Sequence, residues 1–178
     1  MSATYLIIIG AIVVAYLVFM FVLRGKMIKR NEGVVEGMSA DEAMNDYLTH
    51  IVKGYTPADY RLAYGWVMAR YDINRVFAYN SEKILVVPVK LLHGELVTPQ
   101  DQGLVIIDLK DIDHLFLFKK GSNSGVRVYF DNKKNSENFY DLNCNKKDVC
   151  GNDNIPSFMK FVDFIEHWAN LNNIPVEE

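Results

Sequence analysis

Asp141, Asn143 and Asn145 stand at alternate positions, the rhythm in which an EF-hand loop presents its first three calcium ligands. The rest of such a loop is missing. Lys146 occupies the place that calls for glycine, Asn152 stands where the closing bidentate glutamate belongs, and Lys147 adds a repelling charge. The run reads as a polar surface loop, and no metal is assigned to it. Cys150 and His167 are residue types that can pair as nucleophile and base. Neither has an oxyanion-type glycine turn or a third orienting residue beside it, so no catalytic residue is assigned. His93-Gly-Glu-Leu lacks the second histidine of a zinc protease, and Gly121-Ser-Asn-Ser-Gly125 lacks the Gly-Lys-Ser/Thr ending of a phosphate loop. The four histidines are scattered, and two thiols, Cys144 and Cys150, do not complete a zinc shell. No cofactor is expected. The grouping that remains is electrostatic. Lys119 and Lys120, with Arg127, Lys133 and Lys134, form an interaction rim if hairpin geometry brings them together, able to meet a headgroup or an acidic partner.

The elements that must position these residues begin with a long uncharged stretch. Ala3 to Leu23 holds no charged side chain, and Arg24, Lys26, Lys29 and Arg30 follow at once. As a helix this stretch spans roughly 31 Å, the thickness of a bilayer core. It predicts a transmembrane anchor over 1–23 that meets the lipid bilayer through residues 3–23, followed by a basic collar and linker over 24–38. The cationic flank predicts a single-pass protein of the cell membrane, N-terminus outside and C-terminal domain cytoplasmic. A cleaved signal peptide is disfavoured, because a basic leader and a small-residue cleavage site are both absent.

Residues 39–178 are enough for one domain with its own core. Fifteen Lys and Arg stand there against twenty Asp and Glu, a net charge near −5. That sign excludes nonspecific nucleic-acid binding, which rests on positive fields. Ser39 stands three residues before Glu42 as a capping box, and Met44, Tyr47, Leu48 and Ile51 recur at helical spacing, predicting a helix over 40–53. Thr56-Pro57-Ala58-Asp59 reads as a second helix start, giving a helical pair over 39–71. From Asn74 the period changes to two, predicting an antiparallel meander of about six strands over 74–142, with a hairpin turn at Asn80-Ser81-Glu82. Phe158, Phe161, Val162, Ile165, Trp168 and Ala169 then line one face of a closing amphipathic helix over 156–171. The fold class expected is α+β.

The opening hairpin with Lys83-Ile-Leu-Val-Val-Pro88, the Ile107-Asp-Leu-Lys-Asp-Ile112 step, and the last strand followed by the aromatic helix carry a resemblance. Over 75–171 the chain resembles the bacterial PH-like and GRAM-like domains. The resemblance implies a half-open antiparallel barrel plugged by a C-terminal helix and used as an interaction platform. Members that bind phosphoinositides carry several Lys and Arg in the first hairpin loop, whereas this turn is Asn80-Ser81-Glu82, so the lipid chemistry is not implied.

The expected function is a membrane-tethered, non-catalytic interaction module, an accessory or assembly component of a membrane-associated protein complex, with a protein as partner and no nucleic acid. The alternatives are a membrane-anchored enzyme with a dispersed site and a lipid-sensing module working through the basic rim.

Overall fold

The computed structural model describes residues 35–67, 73–100, 102–130 and 139–178, together with Tyr16, Val18 and Phe19. The chain divides into two units, Met1–Gly33 and Val34–Glu178. In the first, the three described residues are helical. In the second, the described elements are α1 (Ala40–Ile51), β1 (Arg61–Val67), β2 (Ile73–Tyr79), β3 (Lys83–Pro88), β4 (Lys90–Leu92), β5 (Glu95–Val97), β6 (Val105–Asp108), β7 (Ile112–Phe118), β8 (Gly125–Phe130), β9 (Phe139–Cys144), α2 (Ile155–Leu171) and β10 (Val176–Glu177).

Eight strands form one mixed sheet in the order β10-β7-β8-β9-β1-β2-β3-β6. All neighbours are antiparallel except β10, which pairs parallel with β7 through Val176 opposite Leu115. β4 and β5 make a separate ribbon whose turn is His93-Gly94, both at positive φ, the conformation of a tight hairpin turn. The His93-Gly-Glu-Leu segment is therefore a hairpin turn running into β5.

Alternation along the strands divides the apolar residues between two cores. Phe77 and Tyr79 of β2 join Ile84 and Val86 of β3, Val126 and Val128 of β8, and Leu142 of β9 beneath α2. The intervening Val76 and Ala78, with Leu85 and Val87, pack with Met44, Tyr47 and Leu48 of α1 on the opposite face. Each helix turns its apolar stripe to one side of the same sheet. The capping box opens α1, with Glu42 N–H donating to Ser39 Oγ at 3.3 Å and Ser39 N–H donating to Glu42 Oε2 at 2.8 Å.

Three expectations are corrected. Among the described residues, the helical pair expected over 39–71 is one α-helix. Pro57–Asp59 makes a single 3₁₀ turn that Thr56 does not cap, and Arg61–Val67 is a strand. Leu62, Tyr64 and Trp66 alternate with Ala63, Gly65 and Val67, and pairing with both β2 and β9 outweighs the local helix-start signal. A Cβ at Gly65 would lie 2.2 Å from Asn143 O and 2.6 Å from Phe77 Cε2, so glycine lets the strands and the core meet there. The meander of about six strands is an eight-stranded mixed sheet, because β1 and the C-terminal β10 both join it.

The third correction concerns the membrane. Among the described residues no helix is long and apolar enough to cross a bilayer. α1 has 12 residues and α2 has 17, each with a polar face, against the roughly 20 apolar residues a span requires. The transmembrane helix, and with it the single-pass placement in the cell membrane and the inward orientation of the C-terminal part, does not stand. Apart from Tyr16, Val18 and Phe19, the segment 3–23 expected to meet the bilayer lies outside the described residues.

Candidate binding cleft

α1, the start of β1, the end of β2 and the first turns of α2 converge on a cleft of about 630 Å³. Local chemistry places each wall. Ser39 fixes the start of α1, which sets Asp41 and Asn45 on the rim. The 3₁₀ turn delivers Tyr60 and Leu62 to the floor and Arg61 to the rim, and Tyr60 stacks on Tyr55 with ring centroids 5.1 Å apart. Asn154 holds the start of α2. It is 3 % exposed, and its Nδ2 donates to Tyr64 O at 2.5 Å and to Asn145 O at 2.9 Å. That clamp presents Ser157, Lys160, Asp163 and Phe164 as the far wall.

Asp41, Arg61, Lys160 and Asp163 are exposed, Tyr60, Leu62 and Phe164 are half-buried, and Tyr79 is buried. The result is an aromatic floor inside a rim with two charges of each sign. Such a surface suits a ligand with an apolar anchor and polar flanks. Burial raises the Tyr79 phenol, with Arg61 opposing and Asp41 adding to the rise, so it stays protonated at neutral pH.

A second cleft of about 590 Å³ lies between α1 and the β4–β5 ribbon. Its floor includes Tyr47, whose hydroxyl donates to Pro88 O at 2.5 Å and lies 3.2 Å from Thr98 Oγ1. Glu36, Asp46 and Glu95 make its rim acidic.

The sequence-derived rim disperses over different elements. Lys119 Nζ donates to Glu166 Oε2 of α2 at 2.6 Å. Arg127, on the sheet face away from α2, makes a two-pronged contact with Asp141, Nε to Oδ1 at 2.5 Å and Nη2 to Oδ2 at 2.9 Å, and lies 4.6 Å over the Phe139 ring. Those bonds raise the Arg127 pKa further and hold its charge in place. Lys120 is exposed, and Lys133 and Lys134 lie outside the described residues.

Asp141 and Asn143 belong to strand β9, not to a loop, and Asn145 donates to Gly65 O at 3.1 Å. Among the described residues no group of three His, Cys, Asp or Glu is placed to hold a metal. Cys150 Sγ donates to Met38 O near α1, whereas His167 is exposed on α2 across the sheet, so the two are not brought together. Both cysteines are free, and burial pushes the Cys144 thiol up to about 11.

Two features escaped the sequence. Arg75 is 8 % exposed, with Nε and Nη1 buried and lacking any hydrogen-bond partner. In sequence it is one polar residue at a strand start, with no local signal. Asn154, one of several asparagines ahead of Pro156 and without a distinguishing local signal, pins α2.

No protein-family model matches the chain, and no curated protein is significantly similar to it. Among solved structures, the chain is similar to the hSac2 domain from human phosphoinositide phosphatase Sac2, with a TM-score of 0.44 and 14 % identity over 80 % of this chain and 92 % of that one. The chain has that domain as a distant structural neighbour, and the likeness is too loose to carry an activity across.

Proposed function

We propose that residues 35–178 form a non-catalytic interaction module with a PH-like half-barrel architecture. Its partner surface is the cleft between α1 and α2. The order β7-β8-β9-β1-β2-β3-β6, antiparallel throughout and backed by a C-terminal helix, supports the half-barrel reading. The observation that carries the function is the composition of the cleft, a half-buried aromatic and aliphatic floor ringed by Asp41, Asp163, Arg61 and Lys160. A protein segment with one apolar anchor and charges of both signs beside it is the complement. Rim charges set orientation and encounter rate, while the anchor supplies most of the binding energy.

Selection of displayed peptides against the full-length protein tests this. The expected result is enrichment of peptides with an aromatic or branched aliphatic anchor flanked by charge. Binding should fall about tenfold or more on Leu62→Glu or Phe164→Ala, and stay unchanged on Ile106→Ser on the edge strand β6, which does not line the cleft. Peptides that bind equally well to all three variants would rule the cleft out.

A further inference from the structure

Residues 94–98 line the second cleft in unbroken succession, whereas no residue of β4 lines it. Side chains alternate between the two faces of a strand, so a cleft lying against one face would meet every second residue. An unbroken run places the cleft along the edge of β5, where the backbone itself is the wall. The two-residue turn His93-Gly94 makes Leu92 and Glu95 the hydrogen-bonded pair that closes the hairpin, and Lys90 and Val97 the next such pair. Leu96, between them, faces Leu91 without bonding to it and turns its N–H and C=O away from β4. Among the described residues no backbone group meets them. β5 is thus an unpaired strand edge beside a cavity, a ready template for another strand.

Across the cleft stand α1 and the chain just ahead of it. Met38 is 51 % exposed and Ile51 41 %, large apolar side chains left in water, and Val35 and Val97 are half-buried. The acids of the lining are Glu36, Asp46 and Glu95. No Lys or Arg lines the cleft, and Lys90, opposite Val97 across the ribbon, does not reach it. Glu36 and Glu95 form no ion pair among the described residues, and Asp46 has the exposed His50 at 3.8 Å. The α1–α2 cleft carries charges of both signs, so the two clefts select different partners.

We propose that β5 takes up a further strand, an extended segment of a partner protein that alternates Lys or Arg with branched apolar residues. Its backbone pairs with Leu96, its apolar side chains cover Met38 and Ile51, and its cations lie beside Glu36, Asp46 and Glu95. Main-chain hydrogen bonds hold such a segment, and its alternate side chains select it. This edge is a second interaction surface, separate from the α1–α2 cleft.

The test uses the full-length protein and a fluorescein-labelled peptide, Lys-Val-Lys-Ile-Lys-Val, read by polarisation and by hydrogen exchange at the Leu96 amide. The peptide is expected to bind, to weaken as salt rises and to slow exchange at Leu96, while Glu-Val-Glu-Ile-Glu-Val does not bind. Methylating the peptide's backbone nitrogens should weaken binding about tenfold or more with the charges untouched. Glu95→Lys should weaken it as much and, at an exposed position, leave the fold intact. Leu62→Glu and Phe164→Ala, which disable the α1–α2 cleft, should leave this binding unchanged, so the two surfaces can fail independently. Binding that survives Glu95→Lys or backbone methylation, an unprotected Leu96 amide at saturation, or equal affinity for the acidic peptide would each overturn the assignment. So would a dimer of the protein alone that Glu95→Lys dissolves, which gives the edge to a second copy of this chain.

Discussion

The two faces of the central sheet are closed by different chemistry. Under α2 the seal is hydrocarbon apart from the Tyr79 phenol. Phe158 and Phe161 interlock with Phe77, and Phe161 meets Tyr79 edge-on at 4.9 Å. Under α1 the apolar cluster is smaller and is anchored by phenols that reach polar atoms, Tyr47 to Pro88 O and Tyr55 to Asn45 Oδ1 at 2.7 Å. Dry packing is indifferent to pH and unforgiving of lost volume. A seal made of tyrosines tolerates less alkali, because each buried phenol must stay neutral.

The sharpest way to break this contrast is to remove volume. Phe161→Ala deletes a fully buried ring with three aromatic neighbours and should cost about 3–5 kcal/mol in denaturant unfolding. Leu48→Ala, the most buried large side chain of α1, should cost less, about 2–3 kcal/mol. Equal losses at the two positions would remove the distinction.

Next in size is the face of β8 and β9 away from α2, which no described helix covers. There Asp141, 4 % exposed, holds Arg127. Asp141→Ala should destabilise by about 2 kcal/mol, a value below that of a fully buried pair because Arg127 can reach water. The Arg127→Met, Asp141→Ala double variant should recover part of that loss, and a double-variant cycle measures the coupling.

Alkaline pH acts on the α1 side. Burial raises the phenols of Tyr55 and Tyr64 to about 12, from 10 for a free phenol. The unfolded chain gives up these protons first, so stability is unaffected below pH 10 and falls as pH rises from 10 toward 12. The expected loss is on the order of 2 kcal/mol, reduced in Tyr64→Phe. Hydrogen exchange read by mass spectrometry should show α1 amides opening before α2 amides, and simultaneous opening would contradict the contrast.

The smallest effect is at the helix start. Ser39→Ala removes the capping acceptor and should cost about 1 kcal/mol, confined to α1.

Local signals located α1 and α2 well. The Ser39–Glu42 box marks the start of one helix, and Phe158, Phe161, Val162 and Ile165 mark the buried stripe of the other. The same kind of signal misled at Thr56-Pro57, where a helix-start pattern precedes a strand. A cap contributes about 1 kcal/mol, and two neighbouring strands outweigh it. The cleft was legible only in pieces. Nothing local states that a 3₁₀ turn, two strand ends and a helix bring Tyr60, Leu62 and Phe164 together.

By itself, then, the sequence determined the acidic character of residues 39–178, the ends of its helices, the alternation of most strands and the absence of any continuous catalytic motif. These depend on neighbours a few positions apart, which is the range of capping, periodicity and turn chemistry. Tertiary structure alone decided that Arg61–Val67 is a strand, that Arg127 and Lys119 are committed to Asp141 and Glu166, and that Arg75 Nε and Nη1 are buried with no hydrogen-bond partner among the described residues. Those outcomes depend on which residues oppose each other across the sheet, and strand register is set by the whole packed domain, not by any one segment.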